Sequence, residues 1–221
     1  MADKTISSFA HLHKAVESYN DLTVVFRGAR SLAHTLTPTI GRYAKLHSKN
    51  RPKEEQAILR LFREQAVPYL SFTPENDWEW LALAQHHGLP TRLLDWSRNP
   101  LVAAYFAVER EHDGDSVIYA YRDTKRIVTA TAGDPFNRTT VGRFIPRHIT
   151  RRITAQAGLF TIHPNPQIAF TGASIDRLII KQKYRKQLKH TLFRYGIHRG
   201  SLFPDLDGLA RNIEWMRTDV Y

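Results

Sequence analysis

The run Leu101-Val102-Ala103-Ala104-Tyr105-Phe106-Ala107-Val108 constrains this chain more than any other segment. It follows Asn99-Pro100, a capping residue and then a proline suited to the first helical position, so a helix is predicted there. A helix with almost no polar face has to be buried on most of its sides. The pattern predicts that this helix stops near Gly114.

Other elements follow from local pattern. Thr23-Val24-Val25-Phe26 is β-branched and aromatic and predicts a strand that ends in a turn at Arg27-Gly28. Residues 53–66 carry Ala57, Ile58, Leu61 and Phe62 at helical spacing. Thr73-Pro74-Glu75 predicts the cap and first turn of a helix reaching Gly88. Strands are expected over 116–121, 158–163 and 177–181. The last clear helix, 183–196, carries an apolar stripe of Tyr184, Leu188, Leu192 and Tyr195. Helices and strands do not alternate regularly, so the expected class is α+β: mixed small sheets with packed helices. No repeat, low-complexity run or linker appears, so residues 1–221 read as one compact domain.

Hydrophobic residues make up 42% of the chain, enough for a real core, which excludes wholesale disorder. The absence of cysteine excludes disulfide scaffolds, thiolate metal sites and cysteine nucleophiles. No run approaches the length of a membrane span, and the first residues lack the zones of a signal peptide. The expectation is a soluble, cytoplasmic protein without a membrane partner.

Charge is unevenly placed. Residues 138–199 hold 13 Lys and Arg against one acid, Asp176, a local net of +12 within a chain of +11. Such a segment fits a polyanion, because each neutralised phosphate releases condensed counterions. It equally fits a solvated face that keeps the protein soluble.

Three constellations could carry chemistry. In the first, Arg27 closes an apolar strand and Gly28 allows close approach of a ligand or backbone. Arg27 there either clamps a phosphate or carboxylate bidentately or forms a structural ion pair with an acid such as Asp95. The second is Gln85-His86-His87-Gly88-Leu89-Pro90-Thr91-Arg92-Leu93-Leu94-Asp95-Trp96-Ser97, in which seven of thirteen side chains are polar. A loop this polar between buried helices has to bond itself or a ligand. Adjacent His86 and His87 lie about 100° apart on a helix and cannot share one metal, so no metal site is expected. The glycine-flanked serine of a nucleophile elbow is missing. The third is the segment from Arg152 to His163, where Gln156 precedes a Gly-led strand and binds either a substrate hydroxyl or its own turn.

Phe26-Arg27-Gly28, then WEWLALAQHHGLPTRLLDWSRNPLVAAYFAV (Trp78 to Val108), AQAGLFTIHP (Ala155 to Pro164) and LFPDLDGLA (Leu202 to Ala210) resemble the FRG domain family, one of bacterial and phage proteins. A remoter resemblance is to ADP-ribosyltransferases of the Arg–Ser–Glu type. Arg27 matches their NAD-binding arginine, and Asp95-Trp96-Ser97 followed by Ala103 to Ala107 is similar to their Ser-Thr-Ser strand and small-x-x-Phe-Ala helix. Gln156-Ala157-Gly158 is similar to their Gln-x-Glu turn, with Gly158 where the catalytic glutamate stands.

The resemblance implies an ADP-ribosyltransferase-like fold and an enzyme that consumes NAD as co-substrate without a metal, a toxin or phage-defence effector. In this reading Arg27 grips the pyrophosphate, with Gly28, Gln85, Arg92, Trp96 and Ser97 completing the NAD site. Asp95 steadies positive charge at the anomeric carbon in place of the missing glutamate. Gln156 orients the ribose or the acceptor, and His87 joins them as a catalytic group or stacks on a ring. The acceptor is a nucleic acid recruited by Lys183, Lys186, Lys189 and Arg194, and a cognate inhibitor protein is a further expected partner. Two other readings stand beside it. One is a non-catalytic nucleic-acid-binding module. The other is a nuclease or hydrolase using His86 or His87 as base, with Asp95 orienting it.

Overall fold

The apolar helix forms where its cap and proline predict it. In a computed structural model that describes residues 3–44, 51–70, 72–122, 127–128, 133–146 and 151–219, helix α4 spans Pro100–Val108 and Asn99 Oδ1 accepts the Leu101 N–H. Six of its residues, Val102 to Tyr105, Ala107 and Val108, are buried. It ends at Val108, short of Gly114.

Beside it runs one sheet of eight strands among the described residues: β1 Asp3–Ile6, β2 Val25–Ala29, β3 Leu93–Ser97, β4 Ser116–Tyr121, β5 Ile127–Val128, β6 Gly142–Phe144, β7 Gly158–Ile162 and β8 Ile175–Ile180. Their order is β1-β8-β4-β2-β3-β7-β6-β5. β1 with β8 and β5 with β6 are parallel, and the other pairs are antiparallel. The fold is a compact α+β domain, as expected, with its strands joined into one continuous sheet. The seam between β2 and β3 decides the site. β2 pairs with β4 over five residues and β3 with β7 over five, yet β2 and β3 meet only at Phe26 and Ser97. Beyond that pair the two halves of the sheet part.

The remaining helices are α1 Phe9–Glu17, α2 Arg51–Ala66, α3 Asp77–His86, α5 Arg151–Ala155, α6 Gln182–Arg194, α7 Arg199–Leu202 and α8 Leu206–Thr218. α1, α4 and α6 pack on one face of the sheet around Phe26, Ile118 and Leu178. α2 and α3 cover the β3–β7–β6 half around Leu93, Phe144 and Phe160. A third cluster, with Val25, Leu94, Trp96, Tyr119 and Leu159, fills the opposite face.

Several expectations are corrected. Arg27 and Gly28 lie inside β2, not at a turn, and Gly28 pairs with Ile118. α3 is capped by Asn76, whose side chain accepts the Glu79 N–H, not by Thr73. Its C-terminus is as expected: Gly88 has φ +85°, and Leu89 and Gly88 donate to Ala84 and Gln85, a Schellman closure that wants glycine. On α2 the residues turned inward are Glu55, Leu59 and Ala66, while Leu61 is exposed, because an ion pair rather than the apolar stripe orients the helix. Helices α7 and α8 follow the one read as last. α8 has Asp205 as cap, but its apolar residues Leu206, Leu209, Ile213 and Met216 stay exposed. No helix among the described residues is long and apolar enough to cross a membrane.

Candidate active site

Where β2 and β3 part, a cavity of about 280 Å³ opens between the sheet, α4 and α5. Arg27 on β2 reaches across the gap. Its Nη1 donates to the Asp95 carbonyl at 2.8 Å and to Asp95 Oδ2 at 3.3 Å. The ion pair therefore supplies bonds that the missing ladder would have made. Asp95 Oδ2 also accepts Gln85 Nε2 at 2.8 Å. The Gln85 carbonyl oxygen takes Thr91 Oγ1–H at 2.6 Å, and Thr91 Oγ1 accepts the Leu93 N–H at 3.1 Å. This chain of bonds sets which amide end of Gln85 faces Asp95. It holds one carboxylate oxygen while half of the Asp95 side chain remains exposed. Among the described residues Asp95 is the only acid lining the cavity, which Phe106, His86, Arg152, Gln156, Gly158 and Phe160 also border.

Of the predicted residues, Arg27, Gly28, Gln85, Asp95, Trp96, Ser97 and Gln156 come together here, though they span 130 positions of sequence. Their local roles differ from expectation. The Trp96 ring belongs to the cluster on the other face, with Nε1 donating to Thr161 Oγ1 at 2.8 Å and Tyr121 beside it, so it offers no stacking platform. Ser97 Oγ donates to the Gln156 carbonyl and accepts the Asn99 N–H, which ties β3 to the turn before β7. Gln156 Nε2 donates to the Leu202 carbonyl at 3.1 Å. Gly28 serves close packing: a Cβ there would overlap the Ala103 carbonyl oxygen and lie 2.6 Å from Ala107 N. Ala157 holds φ +47°, a left-handed conformation an alanine adopts only under constraint, and its carbonyl accepts the Arg98 N–H.

Two predicted residues lie elsewhere. Arg92 is 1% exposed; its Nε donates to Glu55 Oε2 at 2.6 Å, and Nη1 donates to the Pro135 and Phe136 carbonyls. It is a core ion pair beneath α2, with no path to the cavity. His87 caps the end of α3, is exposed, and lines a separate recess with Tyr69 and Asp205. The histidine that borders the cavity is His86. Burial first, then Arg152 and His87, pull His86 down to about 4, so it is neutral at pH 7.

Sequence reasoning gave no role to Arg152 or Phe106. Arg152 sits inside a generally basic run and Phe106 inside an apolar helix, so neither stands out by pattern. Arg152 is half-buried, stacks on Phe203 at 4.3 Å, and donates a long bond of 3.4 Å to the His86 carbonyl.

The basic segment is largely spent on structure. Lys189 is 7% exposed, donates to the Glu109 carbonyl at 3.0 Å, lies 5.0 Å above the Trp215 ring, and is pushed down to about 8 by burial. It cannot meet a nucleic acid from there. Lys186 pairs with Asp219 at 2.6 Å. Arg185 is buried on the Ser116 hydroxyl and the His112 and Arg110 carbonyls. Lys183 and Arg194 are exposed. Residues 147–150 of the segment lie outside the described residues. Among the described residues no group of three or more His, Asp or Glu could hold a metal ion.

A second buried histidine yields a prediction. His163 is 2% exposed, bonds Thr161 Oγ1 at 2.8 Å, and is pushed down to about 4, mainly by burial and then by Arg27. The unfolded chain therefore binds a proton at His163 that the folded chain refuses. Stability is fully present above about pH 6.5 and is lost as pH falls from there toward about 4, by on the order of 3 kcal/mol for this residue. Denaturant unfolding of wild type and His163→Gln at pH 7 and 4.5 measures this. Equal pH slopes in the two proteins would show that His163 is not the cause.

The fold and site define an α+β protein whose sheet divides at an arginine–aspartate pair and holds its polar residues in the gap. The FRG domain family matches residues 22–116 of the chain. The matched span contains Phe26-Arg27-Gly28, Gln85, Asp95 and α4, whereas Arg152, Gln156 and β7, which close the cavity, lie beyond it. No curated protein and no solved structure matches the chain.

Proposed function

We propose that this protein is an NAD-consuming, ADP-ribosyltransferase-like enzyme, an effector or toxin whose acceptor is a nucleic acid. The observation that carries the reading is the carboxylate of Asp95, held by Arg27 and Gln85 with half of its side chain open to the cavity.

In this reaction the bond from the ribose anomeric carbon to nicotinamide breaks. Its electron pair goes to the ring nitrogen, nicotinamide leaves neutral, and positive charge collects on the ribose. An anion already fixed beside that carbon stabilises the charge without reorganising. The resembling enzymes place a glutamate where Gly158 stands. Asp95 faces the same cavity from the neighbouring strand, where it pairs with Phe160, two residues along from Gly158. The acceptor oxygen or nitrogen then attacks the carbon and releases its proton to neutral His86 or to water. Phe106 replaces Trp96 as the ring that can lie against a base or nicotinamide.

The test is release of nicotinamide from NAD by the full chain, with and without added RNA or DNA. Asp95→Asn is expected to reduce the rate by about 10²–10³, the usual cost of losing a charge-stabilising group. A wild-type protein that releases none with any acceptor sinks the proposal. Cleavage of nucleic acid without NAD would instead favour the hydrolase reading, with His86 as base.

A further inference from the structure

We propose that Arg152 is the centre of a diphosphate-binding subsite at the mouth of the cavity. It would take the diphosphate of a dinucleotide whose reacting ribose lies beside Asp95. This deepens the function proposed above and rests on it for the identity of the ligand, although its test needs no turnover.

Arg27, the arginine that sequence similarity assigns to the phosphates, has its Nη1 committed to the Asp95 carbonyl and carboxylate. Arg199, on the same phenylalanine as Arg152, is paired with Glu109. Arg152 differs from both. Among the described residues it has no ion pair, and its hydrogen bond to the His86 carbonyl is long. Its Cζ lies 4.3 Å from the Phe203 ring centroid. A guanidinium held over a ring with donors to spare can match two phosphate oxygens at once.

Its position also fits. Arg152 borders the cavity and, with Phe106, an adjoining trough of about 530 Å³ that Arg30 and Arg110 line. Those two arginines have no ion pair among the described residues. Their backbones are pinned, since the Arg30 carbonyl accepts Ser116 Oγ–H and the Arg110 carbonyl accepts Arg185. Asp205 and Asp207 stand on the same trough, and Asp205 Oδ1 is occupied by the Gly208 N–H. A ligand leaving the cavity past Phe106 therefore meets Arg152 first, then Arg30 and Arg110.

Calorimetric titration of the full chain with inorganic pyrophosphate tests the subsite. Arg152→Gln is expected to weaken binding about 10- to 100-fold, as loss of charge-assisted bonds does. Arg152→Lys, which keeps the charge and loses the fork, should weaken it less. Arg110→Gln, at an exposed position that cannot threaten the fold, should weaken it a few-fold. Lys14→Gln on the exposed side of α1 should change nothing. Undiminished binding in both Arg152→Gln and Arg110→Gln overturns the subsite, as does equal weakening by Lys14→Gln, which would mean general charge attraction. If these affinities shift as expected but nicotinamide is never released, the subsite stands and the proposed chemistry falls. If nicotinamide is released and the affinities do not shift, the subsite alone falls.

Discussion

Arg92→Ala is expected to destabilise the fold by about 3–5 kcal/mol, the cost of removing one partner of a buried ion pair. The charge left behind, Glu55, is 4% exposed and already has one carboxylate oxygen without a hydrogen bond. The Pro135 and Phe136 carbonyls lose their donor as well. Replacing both partners, Arg92→Met with Glu55→Leu, should restore most of the loss, because two desolvated charges vanish together and well-packed apolar groups replace them. Chemical denaturation of wild type, Arg92→Met, Glu55→Leu and the double variant measures the coupling. A double variant no more stable than Arg92→Ala alone would mean that Arg92 matters for its carbonyl contacts and not for its charge. Nicotinamide release in the folded double variant should remain near wild type, since the pair lies away from the cavity.

Gly28→Ala is expected to cost about 3 kcal/mol, the upper end of overpacking, and to lower activity as well. The added Cβ meets backbone, the Ala103 carbonyl and Ala107 N, so no rotamer change relieves it. α4 has to move away from β2, and Val102, Ala103 and Phe106 of α4 line the cavity. Ala103→Gly should not rescue the variant, because the overlapped atom belongs to the main chain. Thermal melting of Gly28→Ala with and without Ala103→Gly tests this; rescue would locate the clash in the Ala103 methyl instead.

Much of this molecule was legible in advance because the signals are local. Asn99-Pro100 announces α4, Gly88 closes α3, and the β-branched runs mark β4 and β8, since caps, left-handed glycines and strand propensity act within a few residues. The crowding of polar groups between Gln85 and Ser97 likewise pointed to mutual satisfaction, and the Thr91–Gln85–Asp95–Arg27 chain provides it. Helix α8 escaped notice because its apolar residues do not face a core, so its pattern carries no burial.

What composition and spacing determined on their own was the class of fold, the buried helix at its centre and the side chains rich enough in chemistry to matter. Which of those side chains share a cavity was decided only by tertiary structure. Arg92 and Asp95 stand three residues apart, yet one is buried on Glu55 beneath α2 and the other opens to solvent, because Arg92 precedes β3 and is covered by α2 whereas Asp95 lies where β2 and β3 part. Lys189 reads as a surface cation, but the turn of α6 that carries it lies under Trp215. Arg152 comes to Asp95 only because β3 and β7 pair while β2 stands off, and a gap between strands has no signature in any local run of residues.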